Sequence, residues 1–316
     1  MRALRIYSKK VTSVHKLPDL CINSFLGVKI AKNKRFLTQR YLSLNGGKRD
    51  MTYILGARCS DGVVLVGDTK VTIEGGADYA YSKKISTPLT TVVMGSSGIG
   101  GLYKDFQNRI ISRVLDIERD RKERGLTESI ITNDEQFSVL VSNVIREMHE
   151  IYDDDRHLIV NNLMIIGVTR IGSGEAQLTT YNPYGFPEPV NKYRAIGHGE
   201  PYGSLFLKKL WNPKMTMEEV AKLGVFIIKF IDYMHLDNSV GFSEEYPPQV
   251  VYIPHVPMLE VNENLSKEER QKAIESQFEK YKIRELSVDE TKHFMNEVSS
   301  KVADFENFFK RGQFRI

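Results

Sequence analysis

The pattern of apolar and polar positions changes in character several times along the chain. From Met51 onward, short runs rich in β-branched residues predict strands, and the first two are Thr52–Cys59 and Gly62–Gly67. An Asp-Gly pair separates these two runs, as is typical of a hairpin turn. Further strands are predicted at Thr69–Ile73 and Thr90–Met94. This part of the chain is therefore predicted to be rich in β-structure.

Helical periodicity follows, because apolar residues now recur every three or four positions. The first stripe consists of Leu102, Phe106, Ile110, Ile111, Val114, Leu115 and Ile117. A second helix is predicted after Asn133, an N-capping residue type. Its inward face consists of Phe137, Leu140, Val141, Val144, Ile145 and Met148. Two helices in succession indicate a helical layer next to a sheet.

The second half of the chain repeats this order. The predicted elements are strands at Leu163–Thr169 and Ala176–Tyr181, a helix at Leu205–Leu210, a helix opened by a capping box at Thr216 and Glu219, and a last strand at Val250–Ile253. Strands in clusters and helices in pairs favour an α+β sandwich, in which helices cover stacked sheets, over a doubly wound sheet.

The composition shifts after Pro257. Two more capping boxes, Ser266–Glu269 and Ser287–Glu290, each predict the start of an amphipathic helix. The apolar positions of the second are Phe294, Met295, Val298, Val302, Phe305 and Phe309. We therefore divide the chain into an N-terminal arm at 1–51, a core at 52–257 and a C-terminal helical extension at 258–316, which is expected to pack on the core or on a neighbouring subunit.

Charge is distributed unevenly over the 316 residues. Positions 1–50 hold 12 Lys and Arg against two Asp, whereas the rest holds 32 basic and 38 acidic residues. Such an arm is either a tail without a fold of its own or a segment that meets an anionic surface. Because the remainder is mildly acidic, the basic balance of the whole chain is not evidence for nucleic-acid binding, and we expect neither a nucleic-acid nor a membrane partner.

Several classes of protein are disfavoured by composition. No run of about 18 apolar residues exists to span a membrane, and no secretory signal pattern opens the chain. The two cysteines, Cys21 and Cys59, provide neither a disulfide framework nor a zinc site, so a cytoplasmic setting is expected. Asp153–Asp155 is expected to be an exposed loop rather than a metal site, and no cofactor is expected.

Thr52 is the residue with the most interesting chemistry. A hydroxyl needs an adjacent base to act as a nucleophile, and an N-terminal threonine would carry that base as its own α-amine. The ammonium of Lys84 would lower the pKa of this amine, and Asp68 could orient Lys84. The main chain at Gly95 could donate an N–H to an oxyanion.

At these residues the sequence resembles a known family. The stretch TYILGARCSDGVVLVGDTKVT, which begins at Thr52, resembles the start of a mature proteasome β-subunit, an N-terminal nucleophile hydrolase. The similarity continues in LMIIGVTRIGSGEAQLTTYNPYG and AIGHGEPYG, and it covers roughly Met51 to His255. It implies a catalytic set of Thr52, Asp68, Lys84, Asp237 and Gly95, with Val71 and Val93 in the substrate pocket.

The sequence departs from the family pattern in the surroundings of this set. His198 stands where the family has a serine that supports the threonine amine, and Val240 stands at a second such serine, next to Ser239. The residue before the nucleophile is Met51 instead of glycine. Thr52 could therefore be exposed by self-cleavage of a propeptide, or by trimming of Met51 if translation starts there.

The resemblance implies a four-layer αββα sandwich and a threonine-type endopeptidase. Such a subunit would work in a homo- or hetero-oligomeric ring with like subunits, possibly with α-type subunits, and it would degrade peptides or unfolded protein. Two alternatives remain open. One is a non-catalytic ring subunit, and the other is a related amidase or ligase that transfers the acyl group to an amine, because both reactions share one acyl-enzyme.

Overall fold

The computed structural model describes residues 52–72, 79–125, 134–155, 159, 164–169, 174–256, 266, 268–269, 272, 276 and 279–310. The predictions for the arm at 1–51 and for the Asn133 cap lie outside these residues. None of the described helices is both long and apolar enough to cross a membrane.

The strands of the described part are numbered in chain order. They are β1 Ile54–Arg58, β2 Gly62–Gly67, β3 Lys70–Thr72, β4 Tyr79–Tyr81, β5 Ile85–Leu89, β6 Val92–Ser97, β7 Met164–Thr169, β8 Gln177–Tyr181, β9 Pro187–Pro189, β10 Tyr193–Ile196, β11 Gln249–Pro254 and β12 Arg284–Glu285. The helices are α1 Gly100–Glu123, α2 Asp134–Ile151, α3 Glu200–Leu210, α4 Met217–Tyr233 and α5 Val288–Lys310. The mixture of helices and antiparallel strands agrees with the predicted α+β class.

Two five-stranded sheets and a small ribbon organise these strands. The first sheet has the order β10-β1-β2-β11-β12, the second has the order β5-β6-β7-β8-β9, and β3 pairs with β4. All of these pairings are antiparallel, and the β1–β2 hairpin places Ile54 opposite Gly67. This register matters for the site, because Thr52, just before Ile54, and Asp68, just after Gly67, both lie beyond the same open end of the hairpin.

Alternation of side chains along the strands divides the core into three clusters. Residues of β1 and β2 that point one way, such as Leu55 and Val66, are buried with α3, α4 and α5. Those that point the other way, such as Ile54 and Leu65, are buried with residues of the second sheet. A third cluster joins β6 to α1 and α2. The hydrophobic pattern of each strand thus assigns its two faces to different partners.

Most of the helix predictions are confirmed, with corrections at the ends. All six predicted inward residues of α2 are buried. In α4, the Thr216 and Glu219 capping box is present in full. In α1, however, Leu115 and Ile117 are 59% and 38% exposed, and the buried residues of this 24-residue helix end at Val114. Helix α3 starts at Glu200, five residues earlier than predicted, since proline is compatible with the first turn.

The C-terminal helix α5 packs on the core of its own chain. Its residues Phe294, Met295, Val298 and Val302 are buried in the same cluster as α4. The Nζ of Lys229, on α4, donates to the Met295 carbonyl at 3.2 Å. The extension was expected to pack either on the core or on a neighbouring subunit, and α5 packs on the core of its own chain.

Candidate active site

The main chain around Thr52 is held by a glycine-rich segment after β10. Thr52 is 1% exposed, and its carbonyl accepts a hydrogen bond from the Gly199 N–H at 3.2 Å. Gly197 has φ +95°, and a Cβ at this position would lie 2.1 Å from the Thr52 carbonyl oxygen. Only glycine fits here, because the space and the backbone conformation both exclude a side chain.

We expect Gly197→Ala to cost more stability than Gly125→Ala. Both glycines have positive φ, so each alanine pays about 1–2 kcal/mol of backbone strain. At Gly125 a Cβ would meet open space, whereas at Gly197 it would collide with Thr52. Urea denaturation of the two variants measures the difference. Equal losses at both positions would contradict the close approach of Gly197 to Thr52.

Asp68 lies immediately after β2 and is completely buried. Its Oδ1 accepts from the Tyr53 N–H at 2.8 Å and from Lys84 Nζ at 2.9 Å. Its Oδ2 accepts from Lys84 Nζ at 3.0 Å and from the Gly241 N–H at 3.3 Å. The Asp68 N–H in turn donates to the Tyr53 carbonyl at 3.0 Å. One carboxylate therefore joins the residue after Thr52 to Lys84.

The electrostatics of Asp68 result from opposing influences. Burial is the largest and raises the pKa of this carboxyl above its ordinary value, because a low-dielectric setting disfavours charge. The Lys84 ammonium and the two N–H donors act to lower the pKa. A buried charge of this kind is tolerated only when it is paired and hydrogen-bonded, and Lys84 supplies the pairing.

Lys84 comes from the second sheet, whereas Asp68 comes from the first. The lysine directly precedes β5 and is buried, and its main chain is held on both sides. Its carbonyl accepts from the Ser96 N–H at 3.3 Å, and its own N–H donates to Gln249 Oε1 at 3.2 Å. The ion pair therefore bridges the two sheets near Thr52.

Gly95 does not occupy the position expected of a free N–H donor. It lies inside β6, where it pairs with Ile85 on one side and Ile166 on the other. Because the Ser96 N–H points to Lys84 and successive N–H groups alternate across a strand, the Gly95 N–H points into the sheet toward β7. At the end of β6, Ser97 Oγ lies 3.0 Å from a Cβ placed on Gly197, the glycine that approaches the Thr52 carbonyl.

The two residues predicted for the substrate pocket lie in different surroundings. Val93 is completely buried in the cluster between the sheets, so in this structure a substrate could not reach it. Val71 is half-buried in β3, where it pairs with Ala80. The roles of Val93 and Val71 in a substrate pocket stay predictions.

The remaining predicted residues lie on two loops. Asp237 accepts hydrogen bonds from the N–H and the hydroxyl of Ser239, and the same loop leads to Gly241, which contacts Asp68. Val240 is buried against the Gly199 main chain. His198 is exposed, although its two neighbours hold Thr52 in place. The roles of Asp237, Ser239 and His198 in catalysis stay predictions.

Within the described part of the chain, the buried hydroxyl of Tyr53 has no hydrogen-bond partner. Burial raises the pKa of this phenol well above its ordinary value. We expect Tyr53→Phe to be neutral or stabilising, because it removes an unsatisfied polar group. The matched control is Tyr103→Phe, whose buried hydroxyl donates to the Met94 carbonyl at 2.6 Å and whose loss should cost about 1–3 kcal/mol. Unfolding free energies that rank the two variants the other way would contradict this assignment.

Metal chemistry finds no support in the part of the chain that is described. No group of three or more His, Cys, Asp or Glu residues there could hold an ion. Burial raises the pKa of Cys59 to about 12, so this residue stays a thiol near neutral pH. Asp153–Asp155 forms a short 3-10 turn.

Several residues that build the site were not singled out as functional by sequence reasoning. Gly197, Gly199 and Gly241 act through their main chains, and the segment AIGHGEPYG gave a signal only as part of a resemblance. Gln249 could have been noticed, because it is a polar residue at the start of an otherwise apolar strand. Nothing in one sequence shows that its side chain reaches Lys84.

The fold and the buried Asp68–Lys84 pair beside a threonine define a class of protein. The family profile described as Proteasome subunit matches residues 51–239, which is more than half of the chain. The chain therefore belongs to the proteasome subunit family, as the sequence resemblance predicted. No curated protein matches the chain.

Solved structures extend the fold similarity beyond the profile. Anbu from Hyphomicrobium sp. strain MC1 is 19% identical with a TM-score of 0.54, and the match covers 84% of this chain and 100% of that one. Its Gly-1 mutant gives a TM-score of 0.55 at the same identity and coverage. Anbu from Yersinia bercovieri, described as an ancestral beta-subunit, is 15% identical with a TM-score of 0.58 and coverages of 82% and 96%. At these identities the likeness concerns the fold.

Proposed function

We propose that this chain is a threonine-type peptidase subunit, with Thr52 as its nucleophile once residues 1–51 have been removed. The observation that carries the proposal is the buried ion pair between Asp68 and Lys84, which lies against the main chain of Tyr53. A buried lysine–carboxylate pair is expensive to desolvate, and a hydrophobic pair would stabilise the fold as well. Its position next to a threonine favours a catalytic purpose.

In the proposed reaction, Thr52 Oγ attacks the carbonyl carbon of a peptide bond. The α-amine of Thr52 accepts the hydroxyl proton and then donates it to the leaving amine, so that an ester to Thr52 remains. Water, deprotonated by the same amine, hydrolyses this ester and restores the threonine. The Lys84 ammonium keeps the pKa of the amine low, Asp68 holds Lys84, and Asp237 supports the N-terminus.

The oxyanion that forms during attack needs N–H donors. We place these donors in the turn that follows β6, at Gly98, rather than at Gly95, because Gly95 and Ser97 both pair with β7. Gly98 has φ +126° and lies two residues before the first residue of α1, Gly100. The N–H groups at the start of a helix have no intrahelical partners and are suited to stabilise negative charge.

We further propose a four-layer αββα arrangement and a ring assembly. The three clusters support the layers, because the first sheet shares one cluster with α3–α5 and another with the second sheet. Family membership and the Anbu fold support assembly with like subunits into a ring, in the cytoplasm, with peptides or unfolded protein as substrates.

Intact-mass and N-terminal analysis of the purified native protein, with and without a β-lactone or epoxyketone probe, tests the proposal. The expected result is a chain that begins at Thr52 and gains one acyl adduct on that residue. A chain that retains residues before Thr52 and does not react would instead indicate a non-catalytic ring subunit. If the adduct forms, adding an amine distinguishes hydrolysis from acyl transfer by the identity of the product.

A further inference from the structure

Gln249 connects the two sheets at the place where Lys84 enters the site. It is the first residue of β11, is buried, and pairs with Gly67, the residue before Asp68. Its side chain extends from the first sheet to the start of β5 in the second. Gln249 therefore contacts the main chain that carries the lysine, while the neighbouring strand carries the aspartate.

All four hydrogen-bonding positions of the Gln249 amide are used. Its Oε1 accepts from the N–H groups of Lys84, at 3.2 Å, and Ile85, at 2.9 Å. Its Nε2 donates to the Ile85 carbonyl at 2.7 Å and to Glu285 Oε1 at 3.1 Å. Two donors face one end of the amide and two acceptors face the other, which fixes the amide orientation.

The hydrogen bonds of Gln249 do for the main chain of β5 what pairing with a neighbouring strand would do. Among the described strands, only β6 lies beside β5, so the outward N–H and carbonyl groups of β5 have no strand partner there. Gln249 satisfies them at Ile85 and at the adjacent Lys84 N–H. Since the Lys84 carbonyl is held by Ser96 on the other side, the position of the Lys84 Cα is determined from both directions.

We infer that Gln249 is a positioning residue for the threonine chemistry, because it fixes the main chain of Lys84 and so the place of the ammonium between Asp68 and Thr52. This inference rests on the proposed function. It also connects the site to the C-terminal extension, because Glu285 of β12 accepts from both Gln249 and Lys83. Glutamine carries no charge, so its effect on the site would be geometric.

The test measures the rate at which a β-lactone acylates Thr52 as a function of pH. An ordinary α-amine has a pKa of about 7.7–8.0, and a nearby ammonium lowers this pKa. The other charged and titratable groups around the site, among them Asp68, Asp237, Lys83, Glu285 and the exposed His198, are the same residues in wild type and in every variant. A displaced Lys84 should therefore slow acylation at pH 7 and move the acidic midpoint upward.

Gln249→Leu removes all four hydrogen bonds at similar volume, and Gln249→Asn keeps the amide but shortens its reach. For the leucine variant we expect acylation at pH 7 to fall by about 10- to 100-fold, as for an ångström-scale misplacement. We expect its midpoint to rise, and the asparagine variant to move in the same direction by less. If the leucine variant does not fold, the midpoint of the asparagine variant alone tests the inference.

Val250→Ala is the matched control. Val250 is the next residue of β11, and its buried side chain faces the helices instead of Lys84. This variant should lose stability without shifting the midpoint, so that only the amount of labelled protein changes. If both Gln249 variants keep the wild-type midpoint, as the control does, Gln249 is purely structural and the inference fails while the proposed function stands. If the wild-type chain beginning at Thr52 is not labelled, the proposed function itself fails, and the inference with it.

Discussion

Replacing Lys84 by methionine is expected to abolish acylation of Thr52 and to destabilise the protein by about 3–5 kcal/mol near neutral pH. The destabilisation follows because the Asp68 carboxylate would stay buried without its cation. Burial already raises the pKa of Asp68, and loss of Lys84 would raise it further. The folded variant would then bind a proton more tightly than the unfolded chain does.

The pH dependence of this variant follows from that proton. A carboxyl with a raised folded pKa contributes its stability below the unfolded pKa, about 3.9, and loses it as pH rises through the folded pKa. The stability deficit of Lys84→Met relative to wild type should therefore shrink as the pH is lowered. Urea denaturation at a series of pH values measures it.

The double variant Asp68→Asn/Lys84→Met separates stability from catalysis. Neutralising both partners removes the buried unpaired charge, so most of the lost stability should return. Labelling of Thr52 should not return, because the ammonium is still missing. Recovery of labelling in the double variant would contradict the role proposed for Lys84.

Thr52→Ala should reduce peptide hydrolysis by about 10⁴-fold or more, since removal of a nucleophile leaves only the contributions of binding and of the oxyanion donors. Thr52→Ser keeps both the hydroxyl and the α-amine and is expected to retain labelling by the β-lactone. The measurement is hydrolysis of a fluorogenic peptide together with the intact mass of the labelled chain.

A chain that retains a residue before Thr52 provides the control for this experiment. It keeps the threonine hydroxyl but converts its amine into an amide, which cannot accept the proton. We expect this chain to behave like Thr52→Ala. Equal activity of the extended and the trimmed chains would show that another base serves the reaction.

Local patterns were sufficient to predict most elements of the fold. The Thr216 capping box and the inward face of α2 follow from neighbours three and four positions apart, and both are present. Strands β9 and β10 were missed, because β9 is bounded by prolines and β10 is partly exposed. Their formation depends on pairing with β8 and β1, which is information from distant parts of the chain.

The candidate site was predictable only in part. The association of Asp68 with Lys84 was proposed from sequence, and the structure places the two side chains within hydrogen-bonding distance. The sequence could not show which N–H groups near Gly95 are used by the sheet, because this depends on the register of β6. The burial of Val93 between the sheets could not be predicted either, because sequence does not reveal which face of a strand meets another sheet.

The contacts that hold the start of β1 have a consequence for maturation. The Thr52 carbonyl is bound by Gly199, and both main-chain groups of Tyr53 are bound by Asp68. These atoms lie on the C-terminal side of the Met51–Thr52 bond, whose cleavage would free the Thr52 amine under the proposed function. Such cleavage would leave in place the contacts that already hold the residues after the bond, so the strand behind the new terminus would not have to be rebuilt.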